Sequence, residues 1–325
     1  MSKQTYNEFK ITYLRISLTE ACNFRCLYCK ARGQDFLKIE KNLSVEEISN
    51  LVKVLSRYGL KTVRFTGGEP LLRKDIEEIV KKTSPWVEDI GLTTNGFLLK
   101  KYAEALKRAG LKRLNVSVDT LSPEKFEQLT GGNLFKVLEG LETAKRVGFK
   151  RIKLNTVAIK GFTTFKDIDE LLEYSAKNGF HLRFIELMPV GELPFFREDR
   201  FLPLSEVQEY IEQKYGKLIP LQREGSKASK DFYLPSLGIK VGFIKSITEP
   251  FCEGCSKLRL TPDGKIHFCL RTDHEVDIRK YLKDPRSLEE FIPTLLKLKA
   301  ESNDFISKKG FGWFIKEKTM VKIGG

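Results

Sequence analysis

An α/β architecture is predicted for this chain: a partial, open (β/α)6 barrel of the TIM type, followed by a smaller C-terminal region. Three observations predict it. Six short β-rich runs alternate with amphipathic helical patterns over roughly the first 190 residues. That alternation calls for a parallel sheet with right-handed crossovers. Six units also fall short of the eight that close a full barrel, so the expected barrel is open, with its ligand at the C-terminal ends of the strands.

The β-rich runs fall at 13–18, 62–66, 89–94, 113–118, 152–159 and 181–187. The clearest helix begins at Ser44, where Glu47 completes a capping box. Ile48, Leu51, Val52 and Leu55 mark its apolar face, and Gly59 ends it. Further helices are expected at 73–83, 98–109, 134–147 and 164–177, several closed by Gly110, Gly148 or Gly179. The rhythm breaks near Gly191, dividing the chain into regions 1–190 and 191–325. The second region offers a helix at 204–215, short strands at 231–234, 239–246 and 257–260, and a helix at 288–299. There is no internal repeat and no low-complexity tract.

A length of 325 residues allows one large barrel with a smaller appendage. No apolar run approaches the roughly 20 residues that span a bilayer, and the polar start at 1–10 is not a secretory signal, so a cytoplasmic, membrane-free protein is expected. The net charge of +14 has two readings. One is a Lys- and Glu-rich surface of a heat-adapted protein. The other is an anionic partner. No tight Lys/Arg block interleaved with aromatics occurs, which argues against nucleic acid and leaves a small polyanion held by selected cations.

The six cysteines carry the chemistry. Cys22, Cys26 and Cys29 form a C-x3-C-x2-C group in the loop after the first strand, a spacing that suits a metal cluster better than disulfides. A cubane of four irons takes Cys thiolates as outer ligands. Three cysteines would leave one iron open to chelate an amino and a carboxylate group. Structural zinc usually takes four protein ligands, and no fourth Cys or His lies near in sequence. Cys252, Cys255 and Cys269 form the second group, where His267 leaves a Cys3His zinc site open as an alternative.

Cys22-Asn-Phe-Arg-Cys-Leu-Tyr-Cys29 is the signature of the radical S-adenosylmethionine (SAM) superfamily, and Thr66-Gly67-Gly68-Glu69-Pro70 resembles its GGEP motif. The 252–269 segment, the ending Met320-Val321-Lys322-Ile323-Gly324-Gly325, and the runs 90–96, 114–119 and 183–188 resemble a narrower family, the GTP 3′,8-cyclases of molybdenum cofactor biosynthesis. The resemblance runs from about Tyr13 to the last residue.

It implies two [4Fe-4S] clusters. The first, on Cys22, Cys26 and Cys29, cleaves SAM, with Tyr28, Gly68, Ser117 and Met188 matching the SAM contacts. The resulting 5′-deoxyadenosyl radical takes hydrogen from C3′ of GTP, and the sugar radical attacks C8. The second cluster, on Cys252, Cys255 and Cys269, binds the guanine. Arg15, Arg64, Thr93, Lys160, Lys257, Leu258 and Arg259 match the GTP contacts. The implied product is (8S)-3′,8-cyclo-7,8-dihydroguanosine 5′-triphosphate, the first intermediate of molybdopterin synthesis.

An electron donor and a downstream enzyme of that pathway are the implied partners, and a homodimer is compatible. Two departures stand out. Lys257 replaces a usual Arg and lacks its planar fork. Lys30-Ala31 replaces a usual Met-Pro. Rival readings are a peptide-modifying radical SAM enzyme, which typically carries more C-terminal cysteines, and a zinc-stabilised nucleic-acid-binding protein, favoured only by the charge.

Overall fold

A computed structural model describes residues 10–29, 42–189, 195, 198–222, 228–250 and 255–309. Cys252, the Lys30-Ala31 step and the Gly324-Gly325 tail lie outside the described residues.

The expected alternation is present. Strands β1 (Tyr13–Ser17), β2 (Thr62–Thr66), β3 (Asp89–Thr94), β4 (Arg113–Ser117), β5 (Ile152–Ala158) and β6 (His181–Glu186) run parallel in chain order. Between them lie α1 (Val45–Arg57), α2 (Ile76–Thr83), α3 (Leu99–Arg108), α4 (Pro123–Thr130), α5 (Leu134–Arg146) and α6 (Phe165–Asn178). The capping box of α1 forms as its sequence demands: the Glu47 N–H donates to Ser44 Oγ at 3.1 Å, and the Ser44 N–H donates to Glu47 Oε2 at 2.8 Å. Helix α4 is absent from the sequence expectation. It is only eight residues long, capped by the Ser122 hydroxyl and closed by Gly131 at φ 65°.

The second region does not stand apart from this sheet. After α7 (Leu204–Tyr215) come β7 (Ile219–Pro220), β8 (Lys230–Leu234), β9 (Ile239–Ile244), β10 (Lys257–Leu260), β11 (Lys265–His267) and β12 (Glu275–Asp277), then α8 (Arg279–Leu282) and α9 (Pro285–Lys309). Strand β9 pairs parallel with β6, and β10 pairs parallel with β1. The parallel array therefore has two strands more than the expected six, one added at each edge. The whole sheet has the order β12-β11-β10-β1-β2-β3-β4-β5-β6-β9-β8-β7. Its ends are distinct strands, so the barrel is open, as the sequence predicts.

Alternation along each strand sorts the side chains. Leu14, Ile16, Val63, Phe65, Ile90, Leu92, Leu114, Val116, Leu154, Leu182, Phe184, Leu258 and Leu260 are fully buried in one hydrophobic core. Burying each such side chain contributes about 1.5–3 kcal/mol. Their neighbours at odd steps point to the opposite face, the lumen. No helix among the described residues is long and apolar enough to cross a membrane.

Candidate functional site

At the upper rim, where the parallel strands end, three loops meet. The cysteine loop follows β1. Its Leu18 N–H donates to Thr66 O at 2.8 Å, continuing the β1–β2 ladder by one step. The GGEP loop follows β2 and packs backbone to backbone on it: the Gly68 N–H donates to Thr19 O and the Glu69 N–H to Ala21 O, both at 2.7 Å. A Cβ on Gly68 would lie 2.2 Å from Ala21 O, so only glycine fits there. The loop is also held by the end of α4, through Arg25 N–H to Thr130 O at 2.7 Å and Leu27 N–H to Leu129 O at 2.9 Å. Phe24 is wedged edge-on between Phe97 and Phe126, with centroids 6.0 and 5.9 Å away.

Glu69 is wholly buried and binds structure rather than ligand. Its carboxylate accepts from the Leu71 N–H, the Thr94 hydroxyl and the Asn95 N–H at 2.7–3.0 Å. Burial nonetheless lifts its pKa to about 7. It ties β2 to β3, and Asn95 carries the tie onward by donating to Asn23 Oδ1 at 2.8 Å, inside the cysteine loop. Tyr28 donates to Asp119 Oδ2 at 2.6 Å, which fixes the ring over the end of β4. Gly68, Ser117 and Met188 lie at the C-terminal ends of β2, β4 and β6, so with Tyr28 all four expected SAM positions share the upper rim.

The three thiols of this loop suit a group that brings its own positive charge. Burial, followed by the charge of Glu69, raises Cys22 to about 12, and burial raises Cys26 well above the thiol range. Binding would have to displace protons, as metal binding to thiols does. Among the described residues no three His, Cys, Asp or Glu side chains gather closely enough for a single ion. Three thiols spread along one loop fit a cluster, whose ligands are spread over several metals, better than structural zinc, which usually takes four protein ligands.

Below this rim the lumen is lined in rows set by strand register. Arg259, Arg15, Arg64, Gly91 and Arg113 are successive partners across β10, β1, β2, β3 and β4. Thr93, Asn115, Lys153 and His181 form a second row, and Ser117, Asn155, Arg183 and Gly242 a third. Gly91 leaves the gap into which Arg64 and Arg113 reach; a Cβ there would lie 2.9–3.1 Å from their side chains.

These cations are crowded. Burial first, then the mutual repulsion of neighbours, lowers Arg15 to about 9 and Arg183 to about 10, and lowers Lys153 to about 7. Carboxylates are fewer: Asp89 pairs with Arg113 at 2.5 Å, and Asp231 faces His181 at 3.5 Å. Arg15 Nε, Arg64 Nη1, Arg113 Nε, Thr93 Oγ1 and Asn115 Oδ1 are buried with no hydrogen-bond partner. Of these the three guanidinium nitrogens can only donate and the Thr93 hydroxyl can donate as well, a set that fits a polyanion.

At the lower rim, Cys255 lies two residues before β10. The adjoining Ser256 O accepts from the Thr12 N–H at 3.2 Å, which sets Cys255 level with the start of β1. Cys269 follows β11, which runs antiparallel to β10 and returns to the same end. Lys299 of α9, 1% exposed, donates to Phe268 O at 2.6 Å and approaches Cys255 Sγ at 3.8 Å. Burial alone would raise the Cys255 thiol; Lys299, then Lys257 and Arg259, pull it below the ordinary range. His267 Nε2 lies 2.8 Å from Glu275 Oε2, a contact that fixes the orientation of its ring. Cys22, Cys26 and Cys29 thus lie at the opposite end of the lumen from Cys255 and Cys269, separated by the five residues of β1, on the order of 15 Å.

Most expected site residues come together here, with two differences. Leu258 is fully buried in the core, because alternation along β10 turns Lys257 and Arg259 to the lumen and Leu258 away from it. A lumen ligand can meet only its backbone. Lys160 is exposed in the turn beyond β5, where its backbone N–H donates to Arg200 O. The lysine that β5 places in the lumen row is Lys153, seven residues earlier. The sequence carried the signal: in Ile152-Lys-Leu-Asn-Thr-Val-Ala158 the polar Lys153 and Asn155 alternate with apolar residues. Arg113 and Lys299 were likewise unmarked by any motif, and Arg183 lies in the 183–188 run without having been singled out as a site residue.

Comparison with known proteins agrees. Residues 16–175 match the radical SAM superfamily, and residues 180–305 match Molybdenum Cofactor Synthesis C. A GTP 3′,8-cyclase of Alkaliphilus metalliredigens is 38% identical over 99% of this chain and 100% of its own. Another, from Thermodesulfovibrio yellowstonii, is 41% identical over 91% of this chain and 92% of its own. Among solved structures, SuiB of Streptococcus suis bound to S-adenosylmethionine shares the fold at a TM-score of 0.64 and 17% identity, over 85% of this chain and 65% of that one. The two-part match and the near-complete coverage place the chain in the GTP 3′,8-cyclase family of the radical SAM superfamily.

Proposed function

We propose that this chain is a GTP 3′,8-cyclase that converts GTP to (8S)-3′,8-cyclo-7,8-dihydroguanosine 5′-triphosphate in the first step of molybdopterin synthesis. The observation that carries this reading is the cationic lumen, with its buried unpaired guanidinium nitrogens, between Cys22, Cys26 and Cys29 at one end and Cys255 and Cys269 at the other. Membership of the radical SAM superfamily brings a [4Fe-4S] cluster and SAM. When bound, they supply the radical that the protein's own groups cannot generate.

Cys22, Cys26 and Cys29 would hold that cluster at the upper rim, with Tyr28, Gly68, Ser117 and Met188 around SAM. Cys252, Cys255 and Cys269 would hold a second cluster at the lower rim. The work of this chain is then to bind and orient. Arg15, Arg64, Thr93, Lys257 and Arg259 face the lumen and suit a triphosphate through charge-assisted hydrogen bonds. Lys153 takes the place expected of Lys160, and Leu258 contributes backbone only. Holding the sugar beneath the upper rim and the base toward the lower one keeps the reacting atoms near contact, where about 1 Å of misplacement costs about 10²-fold in rate. An external electron donor and a downstream enzyme that accepts the cyclised nucleotide complete the scheme.

Anaerobic incubation of the reconstituted protein with GTP, SAM and dithionite, followed by mass analysis, tests the reading. The expected products are 5′-deoxyadenosine, methionine and a cyclised GTP isomer. Deoxyadenosine formation that never depends on GTP, with GTP recovered intact, would overturn it.

A further inference from the structure

Tyr13, the first residue of β1, is a lumen side chain that is neither a cation nor a cysteine and belongs to none of the expected sites. Its register partners are Lys257 on β10 and Thr62 on β2, so it stands level with the start of β10, two residues beyond Cys255. Arg64 Nε donates to its hydroxyl oxygen at 3.1 Å. That bond fixes the guanidinium plane, leaving Arg64 Nη1 buried and unpaired on the side of Gly91. Because the phenol oxygen accepts from Arg64, its own hydrogen remains to be donated elsewhere.

We propose that Tyr13 is a positioning residue of the lumen, whose hydroxyl fixes the Arg64 guanidinium and donates its own proton to the bound nucleoside triphosphate. The proposal rests on the reading of GTP as the lumen ligand. The surroundings of the phenol support it. Arg15 on its own strand, Arg64 on β2, Arg113 on β4, Arg183 on β6, and Lys257 and Arg259 on β10 all act on it electrostatically. Of the nearby carboxylates, Asp89 pairs with Arg113, and Asp231 accepts from the Ser229 hydroxyl and lies 3.5 Å from His181 Nε2. Burial raises the phenol, and the cations, Arg64 foremost, outweigh it and bring it down to about 7.

The sign of the linkage follows. Below that value the phenol is neutral and can donate to phosphate. Above it the unliganded lumen carries a phenolate, which repels the triphosphate and must regain a proton when the ligand enters. Triphosphate binding therefore raises the Tyr13 pKa, and affinity falls as pH rises through about 7.

The test measures GTP affinity of the anaerobically reconstituted full chain from about pH 6 to about pH 8, for the parent and Tyr13→Phe. Titration of GTP itself cancels in the comparison. Loss of the phenol's hydrogen bonds should weaken GTP about three- to tenfold at the acid end. The two affinities should converge toward the alkaline end, because the variant lacks the repelling phenolate. In the parent, GTP added at about pH 8 should also lower the tyrosinate ultraviolet absorbance, a reading that needs no variant to fold. Parallel pH profiles for the two proteins, or GTP binding with no loss of tyrosinate signal, would overturn the role of Tyr13. Absence of GTP binding to the parent would instead overturn the reading of GTP as ligand.

Discussion

Gly68 lies so close to Ala21 that a methyl group on it would meet the Ala21 carbonyl oxygen at 2.2 Å. The GGEP loop is therefore the floor on which the cysteine loop rests. Overpacking of this kind typically costs about 1–3 kcal/mol, and here the atoms that must give way are backbone. Gly68→Ala should leave a folded barrel, judged by circular dichroism, with the upper cysteines displaced. Iron analysis after reconstitution should fall from about eight per chain toward half. Full iron content with unaltered SAM affinity would show that the loops can slide apart without consequence.

Lys153 links stability to ligand. Its pKa is lowered to about 7 by burial and then by Arg183, so the folded protein gives up its proton far more readily than the unfolded chain does. Between about pH 7 and the ordinary lysine range the unfolded state binds more protons, and stability of the unliganded protein should rise with pH across that window. Lys153→Met should remove the cost of the buried charge and raise the melting temperature. The same change should weaken GTP by about 1.5–3 kcal/mol, the worth of a charged hydrogen bond, and guanosine much less. A lower melting temperature, or equal loss for both ligands, would contradict the assignment of Lys153 to the phosphates.

Lys299 braces the lower rim from α9 through Phe268 O and Cys255 Sγ. Lys299→Met should unpair a buried carbonyl and cost about 1–3 kcal/mol. The lower cysteine group should lose iron first: sub-stoichiometric reconstitution is expected to fill the upper site in preference, seen as SAM cleavage that persists while total iron drops. Retention of the parent's iron content and thermal stability would leave Lys299 without this role.

The contrast between Lys153 and Lys160 shows how far this sequence could be read. The six strands of the barrel, the capping box at Ser44 and Glu47, and both cysteine groups follow from local pattern and spacing. Which lysine enters the lumen depends on strand phase, and the alternation around Lys153 gave that phase where the nearby Lys160 did not. Strands β9 and β10 were legible as short strands, yet nothing local says that they flank β6 and β1 at opposite edges, since that pairing is made across long stretches of chain. Helix α4 escaped notice because eight residues carry little periodicity, although Thr130 and Leu129 at its end hold the cysteine loop. Helix α9 extends well past 288–299 to Lys309 and contains Pro293, a residue that argues locally against a helix interior.

The central claim is that one lumen holds GTP between two cysteine groups with separate tasks. Product analysis of two variants tests it most directly. Cys255→Ser leaves the upper group intact, so SAM should still be cleaved to methionine and 5′-deoxyadenosine, while the nucleotide, no longer anchored at the lower rim, is not cyclised. Cys26→Ser should yield neither product, because the upper group generates the radical. If Cys255→Ser instead cyclises GTP at the parent rate, the lower cysteines serve folding or bind zinc, and the two-ended lumen is the wrong account of this enzyme.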